Sequence, residues 1–261
     1  MQIKKYGFIG AGNMASALIK VLINKTNDIV ISDRSGKAKN LAEELNIEYS
    51  TNVDIVNRCK IIFLGVKPYM LKEVLEPIKD TIHTNKPLII SMLAGVKIED
   101  IEEYLHTPII RVMPNTPVSV NAGVIAYCQN ELVSKEDLST FLNDFKDAGL
   151  IDRVDEKLFD AVSALSGSGP AFIYELIEAL ADGAVLCGMP RDKAYKYASY
   201  TILGAAKMQL ETNLHPGILK DQVTSPSGST IEGLKVLEEN SFRGIIINCV
   251  KSTFDKNKKL K

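Results

Sequence analysis

The chain has 261 residues, of which 46% are hydrophobic and 24% charged, so it can form one large domain or two modest ones. Its formal net charge of -1 gives no electrostatic reason to expect a nucleic-acid or anionic-membrane partner. No apolar segment is long enough for a membrane span and no signal peptide is visible, so we expect a protein of the cytoplasm without membrane partners.

The four cysteines are far apart in the sequence and are flanked mostly by apolar residues. They are Cys59, Cys128, Cys187 and Cys249. Because no CxxC pair and no adjacent Cys/His pair is present, we expect reduced, buried thiols and no metal site.

The first motif is a short apolar strand at 6–9 that runs into a glycine turn and then a helical apolar pattern. In this order, Gly10 permits the tight turn, Gly12 lets the backbone approach a pyrophosphate, and Ala15 allows the helix to pack closely on the strand. The motif predicts a dinucleotide site. The turn residues expected to contact the cofactor are Gly10, Ala11, Gly12, Asn13 and Met14.

The second predicted strand, 29–31, ends in the cluster Ser32-Asp33-Arg34-Ser35. Asp33 lies 23 positions after Gly10, where a dinucleotide fold reads the ribose. An aspartate would accept from the 2'-hydroxyl of NADH, whereas Arg34 with Ser32 and Ser35 could hold the 2'-phosphate of NADPH. Both cofactors therefore stay open, as does the alternative that Arg34 is a solvated charge.

Three more apolar runs, 61–64, 88–91 and 109–112, predict strands of a parallel sheet that is covered on both faces. Ligands bind beyond the carboxyl ends of such strands. The cleft candidates at these ends are Val66, Lys67, Pro68, Ala94 and Asn115. Lys67 could instead be a solvated loop lysine, and Asn115 a turn former rather than a contact of the nicotinamide carboxamide. The strand at 124–127 and a helix at 135–148 complete this domain, and 149–155 leads out of it.

From Glu156 onward the pattern is helical, which predicts a dinucleotide-binding domain over 1–155 and a helical domain over 156–261. The fold class is therefore α/β, with an N-terminal doubly wound Rossmann-type sheet domain followed by an all-α domain. The helix from Phe172 to Val185 is apolar around most of its circumference. The roughly 100 residues of the helical domain are too few to cover such a helix on all sides. We therefore expect a partner subunit.

Near the C-terminus, the run Ser225-Pro226-Ser227-Gly228-Ser229-Thr230 leads into a helix. Ser229 and Glu232 have the spacing of a capping box. Free N–H groups and the dipole at such a helix start favour a carboxylate or phosphate, although an ordinary capped helix would look the same. A nicotinamide domain joined to such an anion cradle implies hydride transfer to a small substrate that carries a carboxylate.

At this point the chain resembles the pyrroline-5-carboxylate reductases over essentially its whole length. The segments that carry the resemblance are GFIGAGNM (7–14), VKP (66–68), MPNTP (113–117), SGSGPA (166–171), GMP (188–190), HPG (215–217), KD (220–221) and SPSGST (225–230). The sequence departs from the family at Ser227 and Ser229, where glycine and Thr or Ala are common, and in the mixed charges of 32–35.

The resemblance implies reduction of 1-pyrroline-5-carboxylate to proline, the last step of proline biosynthesis, with NADPH or NADH as the donor. It implies that Ser225, Thr230 and the backbone of Gly228 and Ser229 hold the substrate carboxylate. The Thr230 hydroxyl would also engage the ring nitrogen. It further implies a C-terminal dimerisation domain with interleaved helices, often assembled into a decamer.

Two other functions are compatible with the same domain plan. A hydroxyacid dehydrogenase of the 3-hydroxyisobutyrate type would carry a catalytic lysine four positions after Gly169, where this chain has Ile173. A nucleotide-sensing protein without catalysis would not need the cradle at 225–230. Both observations favour the reductase.

Overall fold

The computed structural model describes residues 4–34 and 36–259, so Ser35, a predicted phosphate contact, lies outside the described residues. The strands are β1 (Lys4–Ile9), β2 (Ile29–Ser32), β3 (Glu48–Tyr49), β4 (Cys59–Leu64), β5 (Leu88–Ser91), β6 (Ile109–Pro114), β7 (Gly123–Gln129) and β8 (Gly149–Arg153). The helices are α1 (Asn13–Ile23), α2 (Lys37–Leu45), α3 (Asn52–Arg58), α4 (Leu71–Leu75), α5 (Lys79–Asn85), α6 (Ile98–Glu102), α7 (Lys135–Phe145), α8 (Phe159–Val162), α9 (Gly169–Leu186), α10 (Arg191–Thr212), α11 (Pro216–Gln222), α12 (Ser229–Glu239) and α13 (Phe242–Lys258).

All eight strands form one sheet in the described part of the chain, in the order β3-β2-β1-β4-β5-β6-β7-β8. The first six strands are parallel, and β7 and β8 run in the opposite direction. The chain moves outward from β1 to β3 and then returns to the other side of β1 with β4. The carboxyl ends of β1 and β4 therefore flank the topological switch point, where doubly wound sheets bind nucleotides.

Helices cover both faces of the sheet, as the continuous apolar strands predict. One buried cluster joins α1, α2 and α7 to the sheet, with Phe8 and Phe63 stacked at 4.3 Å between ring centroids. The other cluster contains Ile62 and Leu64 with the apolar residues of α3 to α6. The Rossmann-type domain of the sequence analysis is thus confirmed.

Two edge strands were not predicted. Residues 149–153, expected to lead out of the domain, form β8 instead, and β3 has only two residues. Four of the five β8 residues are exposed, so the segment lacks the apolar run that marks a covered strand. What forms β8 is its parallel pairing with β7, a long-range contact.

The chain divides into two compact units. The first holds the sheet and comprises the described residues up to Ser168 together with those from Phe254, and the second is Gly169–Thr253. The second unit is helical throughout, as predicted from the sequence. No helix among the described residues is both long and apolar enough to cross a membrane.

The cysteines only partly match the expectation of buried thiols. Cys59 and Cys128 are buried in the sheet unit, and burial raises the pKa of each thiol to about 12. Cys187 is exposed, because it follows the last turn of α9 rather than lying in a packed strand, and Cys249 is half-buried. The prediction of burial was therefore wrong for Cys187.

Candidate functional site

The turn between β1 and α1 has the geometry that its glycines predict. Gly10 has a φ of +102°, and a Cβ there would lie 2.6 Å from the carbonyl oxygen of Gly65. Only glycine tolerates both constraints. Gly12 is the N-cap of α1, has an ordinary φ of -74°, and would have nothing within 4 Å of a Cβ. The space in front of Gly12 is therefore open.

That open space lies before the first turn of α1. The N-cap has no side-chain hydrogen bond and the first turn has no acidic residue. The N–H groups of Asn13 and Met14 therefore begin a helix without an intrahelical acceptor, and the dipole favours an anion. A pyrophosphate fits this cradle, which a larger residue at Gly12 would fill.

A cavity of about 460 Å³ opens at the switch point, next to this turn. The polar part of its lining consists of Gly10, Ser32, Asp33, Arg34, Thr51 and Glu73. The mostly apolar part consists of Tyr49, Val53, Met70, Val74, Pro77 and Ile78. A cavity that offers both kinds of lining suits the ribose and the adenine of a dinucleotide.

The residues at the end of β2 have different partners. Asp33 Oδ1 accepts from the backbone N–H of Gly36 at 3.0 Å, which orders the turn into α2. Arg34 Nη1 donates to Glu73 Oε1 at 2.7 Å. Ser32 is only 2% exposed and its hydroxyl donates to Asn52 Oδ1 at 2.6 Å, so a phosphate contact from Ser32 would require breaking this bond.

Sequence reasoning missed the apolar lining of the cavity and Glu73. Tyr49 and Val53 belong to β3 and the start of α3, whose positions depend on pairing with β2. Met70 and Glu73 follow Pro68 in a short 3-10 helix and α4. The one available signal was the proline at 68, since a proline after a strand starts a helical turn that brings the next residues back over the strand end.

The other cleft candidates lie at the carboxyl ends of β4 and β5, as predicted. Val66 is half-buried and lines the cavity, and Pro68 begins the 3-10 helix. Lys67 is exposed and is the N-cap of that helix. Ala94 is exposed in the turn after β5, beside Gly95 with a φ of +78°. Contact of these residues with a cofactor stays a prediction.

The side chain of Asn115 hydrogen-bonds to the backbone around it. The residue is 6% exposed, its Oδ1 accepts from the N–H of Val124 at 2.8 Å, and its Nδ2 donates to the carbonyl of Ser166 at 3.1 Å. These bonds tie the end of β6 to β7 and to Ser166, which lies in a short π-helix (Ser163–Gly167). The turn-forming alternative for Asn115 is thus present in the fold, and one Nδ2 hydrogen is left over for a ligand.

In the helical unit, the segment from Ser225 to Thr230 forms a tight turn and a helix start. The N–H of Gly228 donates to the carbonyl of Ser225 at 3.1 Å, with Pro226 and Ser227 at the turn centre. Ser227 has a φ of +58°, typical of the third position of a type II turn. A Cβ on Gly228 would lie 2.3 Å from the Ser225 Oγ, so only glycine lets this hydroxyl stand beside the helix mouth.

The predicted capping box does not form. Gly228, not Ser229, is the N-cap of α12, and no side chain caps the helix. The turn at Ser227 places Gly228 in extended conformation, so the helix begins at Ser229. Ser229 and Thr230 then occupy the first turn, where their N–H groups have no intrahelical acceptor. The mouth is more open toward an anion than a capping box would leave it.

Comparison with protein families gives one match in the N-terminal part of the chain and another in the C-terminal part. Residues 5–95 match the family model described as NADP oxidoreductase, coenzyme F420-dependent. Residues 156–260 match the model described as pyrroline-5-carboxylate reductase dimerisation.

Full-length relatives agree with these matches. The chain is 44% identical to the pyrroline-5-carboxylate reductase of Methanosarcina acetivorans, with 100% of this chain and 99% of the relative covered. It is 40% identical to that of Escherichia coli, with 98% of each covered. A solved structure of the Plasmodium falciparum enzyme, with NADP bound, matches with a TM-score of 0.87 at 33% identity and covers 99% of this chain and 98% of that one.

Proposed function

Since the chain belongs to the pyrroline-5-carboxylate reductase family, we propose that it reduces the C=N bond of 1-pyrroline-5-carboxylate with a hydride from NADPH or NADH and releases L-proline. This is the last step of proline biosynthesis. Both family models and the full-length relatives support the assignment. The observation in this chain that carries it is the open, glycine-capped mouth of α12 beside the Ser225 hydroxyl.

The nucleotide is bound by the sheet unit. Gly10, Ala11, Gly12, Asn13 and Met14 hold the pyrophosphate, supported by the open space at Gly12 and the uncapped first turn of α1. Asp33 and Arg34 hold the ribose end, supported by their place on the cavity wall. Nearer the nicotinamide we place Val66, Lys67, Pro68, Ala94 and Asn115.

The substrate carboxylate is bound at the mouth of α12. The Ser225 hydroxyl and the N–H groups of Ser229 and Thr230 are its donors. The N–H of Gly228 already donates to the Ser225 carbonyl at 3.1 Å, so Gly228 shapes the site and would contact the carboxylate only by sharing that N–H. Hydrogen bonds from these groups to a carboxylate are charge-assisted, and the helix dipole has the matching sign. A carboxylate gripped in this way leaves the ring little freedom, which lowers the entropic cost of reaching the reactive geometry.

Thr230 is the proposed catalytic residue. Thr230 belongs to the first turn of α12, and its hydroxyl is proposed to hydrogen-bond to the ring nitrogen. Protonation of that nitrogen makes the C=N carbon a better hydride acceptor. Bound NADPH or NADH supplies the hydride, and the protein supplies position and electrostatics, so no nucleophile is needed.

The dimerisation model matched by residues 156–260 indicates a homo-oligomer. We propose a homodimer as the basic unit and a decamer as its further assembly, acting in the cytoplasm. Exposed apolar side chains on α9, such as Ile173 and Leu180, support a second copy as their cover. The four free cysteines support a reducing compartment.

The test is the fall in nicotinamide absorbance when 1-pyrroline-5-carboxylate is added to the protein with NADPH or NADH. We expect turnover with wild type and a reduction of at least ~10-fold for Thr230→Ala, from the loss of one charge-assisted hydrogen bond. Thr201→Ala, at an exposed position of α10, is the matched control and should retain the wild-type rate. A wild-type rate for Thr230→Ala would remove Thr230 from the site, and no turnover in wild type would refute the function.

A further inference from the structure

The ribose end of the nucleotide cavity contains an ion pair that bears on cofactor choice. Arg34, at the end of β2, donates from Nη1 to Glu73 Oε1 on α4 at 2.7 Å. Both residues line the cavity, together with Asp33. Among the described residues of the cavity wall, Arg34 is the single cation, whereas Asp33 and Glu73 are acidic. The side chain best suited to a 2'-phosphate is therefore paired with a carboxylate.

The pair is exposed, with the Arg34 side chain 74% and the Glu73 side chain 64% accessible. Exposed ion pairs contribute little to stability, so Arg34 can leave Glu73 at small cost. A ligand that draws Arg34 away still meets the Glu73 carboxylate on the same wall. A 2'-phosphate carries up to two negative charges. The Glu73 carboxylate therefore opposes its binding in two ways: it competes with the phosphate for the Arg34 guanidinium, and it repels the phosphate because both are negative.

We propose that Glu73 is a specificity-determining residue: it competes with the 2'-phosphate for Arg34 and so lowers the preference of this enzyme for NADPH over NADH. The proposal rests on the nucleotide site of the proposed function and adds a residue to it. NADH has a 2'-hydroxyl in place of the phosphate, so its binding does not require Arg34 to leave Glu73. The mixed charges at the end of β2 then have a physical meaning, because Arg34 provides the phosphate site and Glu73 limits its strength.

The variant that tests the proposal is Glu73→Gln, with 2',5'-ADP and 5'-AMP as the probes, since they differ by the 2'-phosphate alone. We expect calorimetric titration to show 2',5'-ADP binding about threefold to tenfold tighter to Glu73→Gln than to wild type. The affinity for 5'-AMP should stay within about twofold. In an Arg34→Ala background, the gain from Glu73→Gln should be clearly smaller, because there is no guanidinium to release and only the like-charge repulsion is relieved.

Glu76→Gln is the matched control. Glu76 caps the end of the same helix, pairs with Lys79 at 2.7 Å, and does not belong to the described cavity wall. Glu76→Gln removes the same charge as Glu73→Gln but at a position outside the cavity wall. It should therefore change the 2',5'-ADP affinity by less than twofold. Equal gains from Glu73→Gln and Glu76→Gln would mean a general charge effect and overturn the proposal. Unchanged or weaker 2',5'-ADP binding to Glu73→Gln would overturn it as well.

These titrations need no turnover, so their outcome is separable from that of the absorbance assay. An expected shift with Glu73→Gln in a protein that does not reduce 1-pyrroline-5-carboxylate would leave the nucleotide inference standing and refute the proposed reaction. Turnover without the affinity shift would support the proposed reaction and refute the inference about Glu73. In a turnover-competent enzyme, Glu73→Gln should also lower the Michaelis constant for NADPH and leave that for NADH within about twofold.

Discussion

Ser227 shows how one residue can be recognised as unusual in a sequence and understood only in a structure. The family resemblance leads one to expect glycine at this position, where the sequence has serine. The backbone there has a φ of +58°, in the left-handed region that disfavours residues with a Cβ. Ser227 therefore keeps the turn before α12 at a cost in conformational energy that glycine avoids.

We predict that Ser227→Gly relieves this strain. Serine to glycine also increases the freedom of the unfolded chain, so a second serine with ordinary geometry is needed for comparison. Ser199, exposed in the middle of α10, provides it. In urea unfolding at fixed protein concentration, Ser227→Gly should be more stable than Ser199→Gly by about 1–2 kcal/mol. Equal losses of unfolding free energy in the two variants would contradict a strained Ser227.

The glycine turn between β1 and α1 separates folding from ligand binding within one short element. Gly10 is required by the fold, because its φ is +102° and a Cβ would meet the Gly65 carbonyl at 2.6 Å. Gly12 has no such constraint in the described structure. Its small size matters only for something that approaches from outside the chain, which makes it a residue of the site rather than of the core.

We therefore expect Gly10→Ala and Gly12→Ala to behave differently. Gly10→Ala should lose about 2–4 kcal/mol of unfolding free energy, from strain and the clash with Gly65. Gly12→Ala should stay within about 1 kcal/mol of wild type, the size of an N-cap effect. Both should bind NADPH at least ~10-fold more weakly. Urea unfolding and fluorescence titration measure the two quantities, and wild-type NADPH affinity in a stable Gly12→Ala would exclude the pyrophosphate from this turn.

At the scale of elements, the sequence predicted those strands and helices that are determined by a local pattern of apolar and polar residues. The covered strands β1, β2, β4, β5 and β6 were readable because an apolar run ends in a small or polar cluster. Strands β3 and β8 were not readable, because their residues are largely exposed and only pairing with a neighbour makes them strands. The helix at 229 was predicted but its capping box was not formed, since Ser227 and Gly228 set where the helix begins.

The site was predictable to the same extent. Residues at strand ends, such as Gly10, Asp33 and Arg34, come to one cavity wall because parallel strands end together. Tyr49 reaches that wall through the pairing of β3 with β2, which leaves no local signature, and the one local signal for Glu73 was Pro68. Roles that depend on bound ligands, including those of Thr230 and Lys67, came from the family resemblance and stay predictions for this chain.

Over the whole molecule, the two units differ in how they treat apolar side chains. The sheet unit buries its aromatic and aliphatic residues in two clusters. In α9 of the helical unit, Ala181 alone is fully buried among the described residues, although the helix is rich in large apolar residues. Water-exposed apolar area of this kind is typical of a surface that another chain covers. The sequence predicted that α9 is buried nearly all round, and we therefore expect a second copy of the chain to cover its exposed apolar side chains.

We predict that acidic residues on this surface break the oligomer. Ile173 and Leu180 lie seven residues apart on the same face of α9 and are 41% and 45% exposed. Wild type should elute in light scattering at no less than twice the chain mass of 28.7 kDa, whereas Ile173→Asp with Leu180→Asp should approach the mass of one chain, because burying a carboxylate in an apolar interface is costly. Leu132→Asp, in the sheet unit and 42% exposed, should keep the wild-type mass. An unchanged mass for the α9 variant would mean that the second copy covers a different surface.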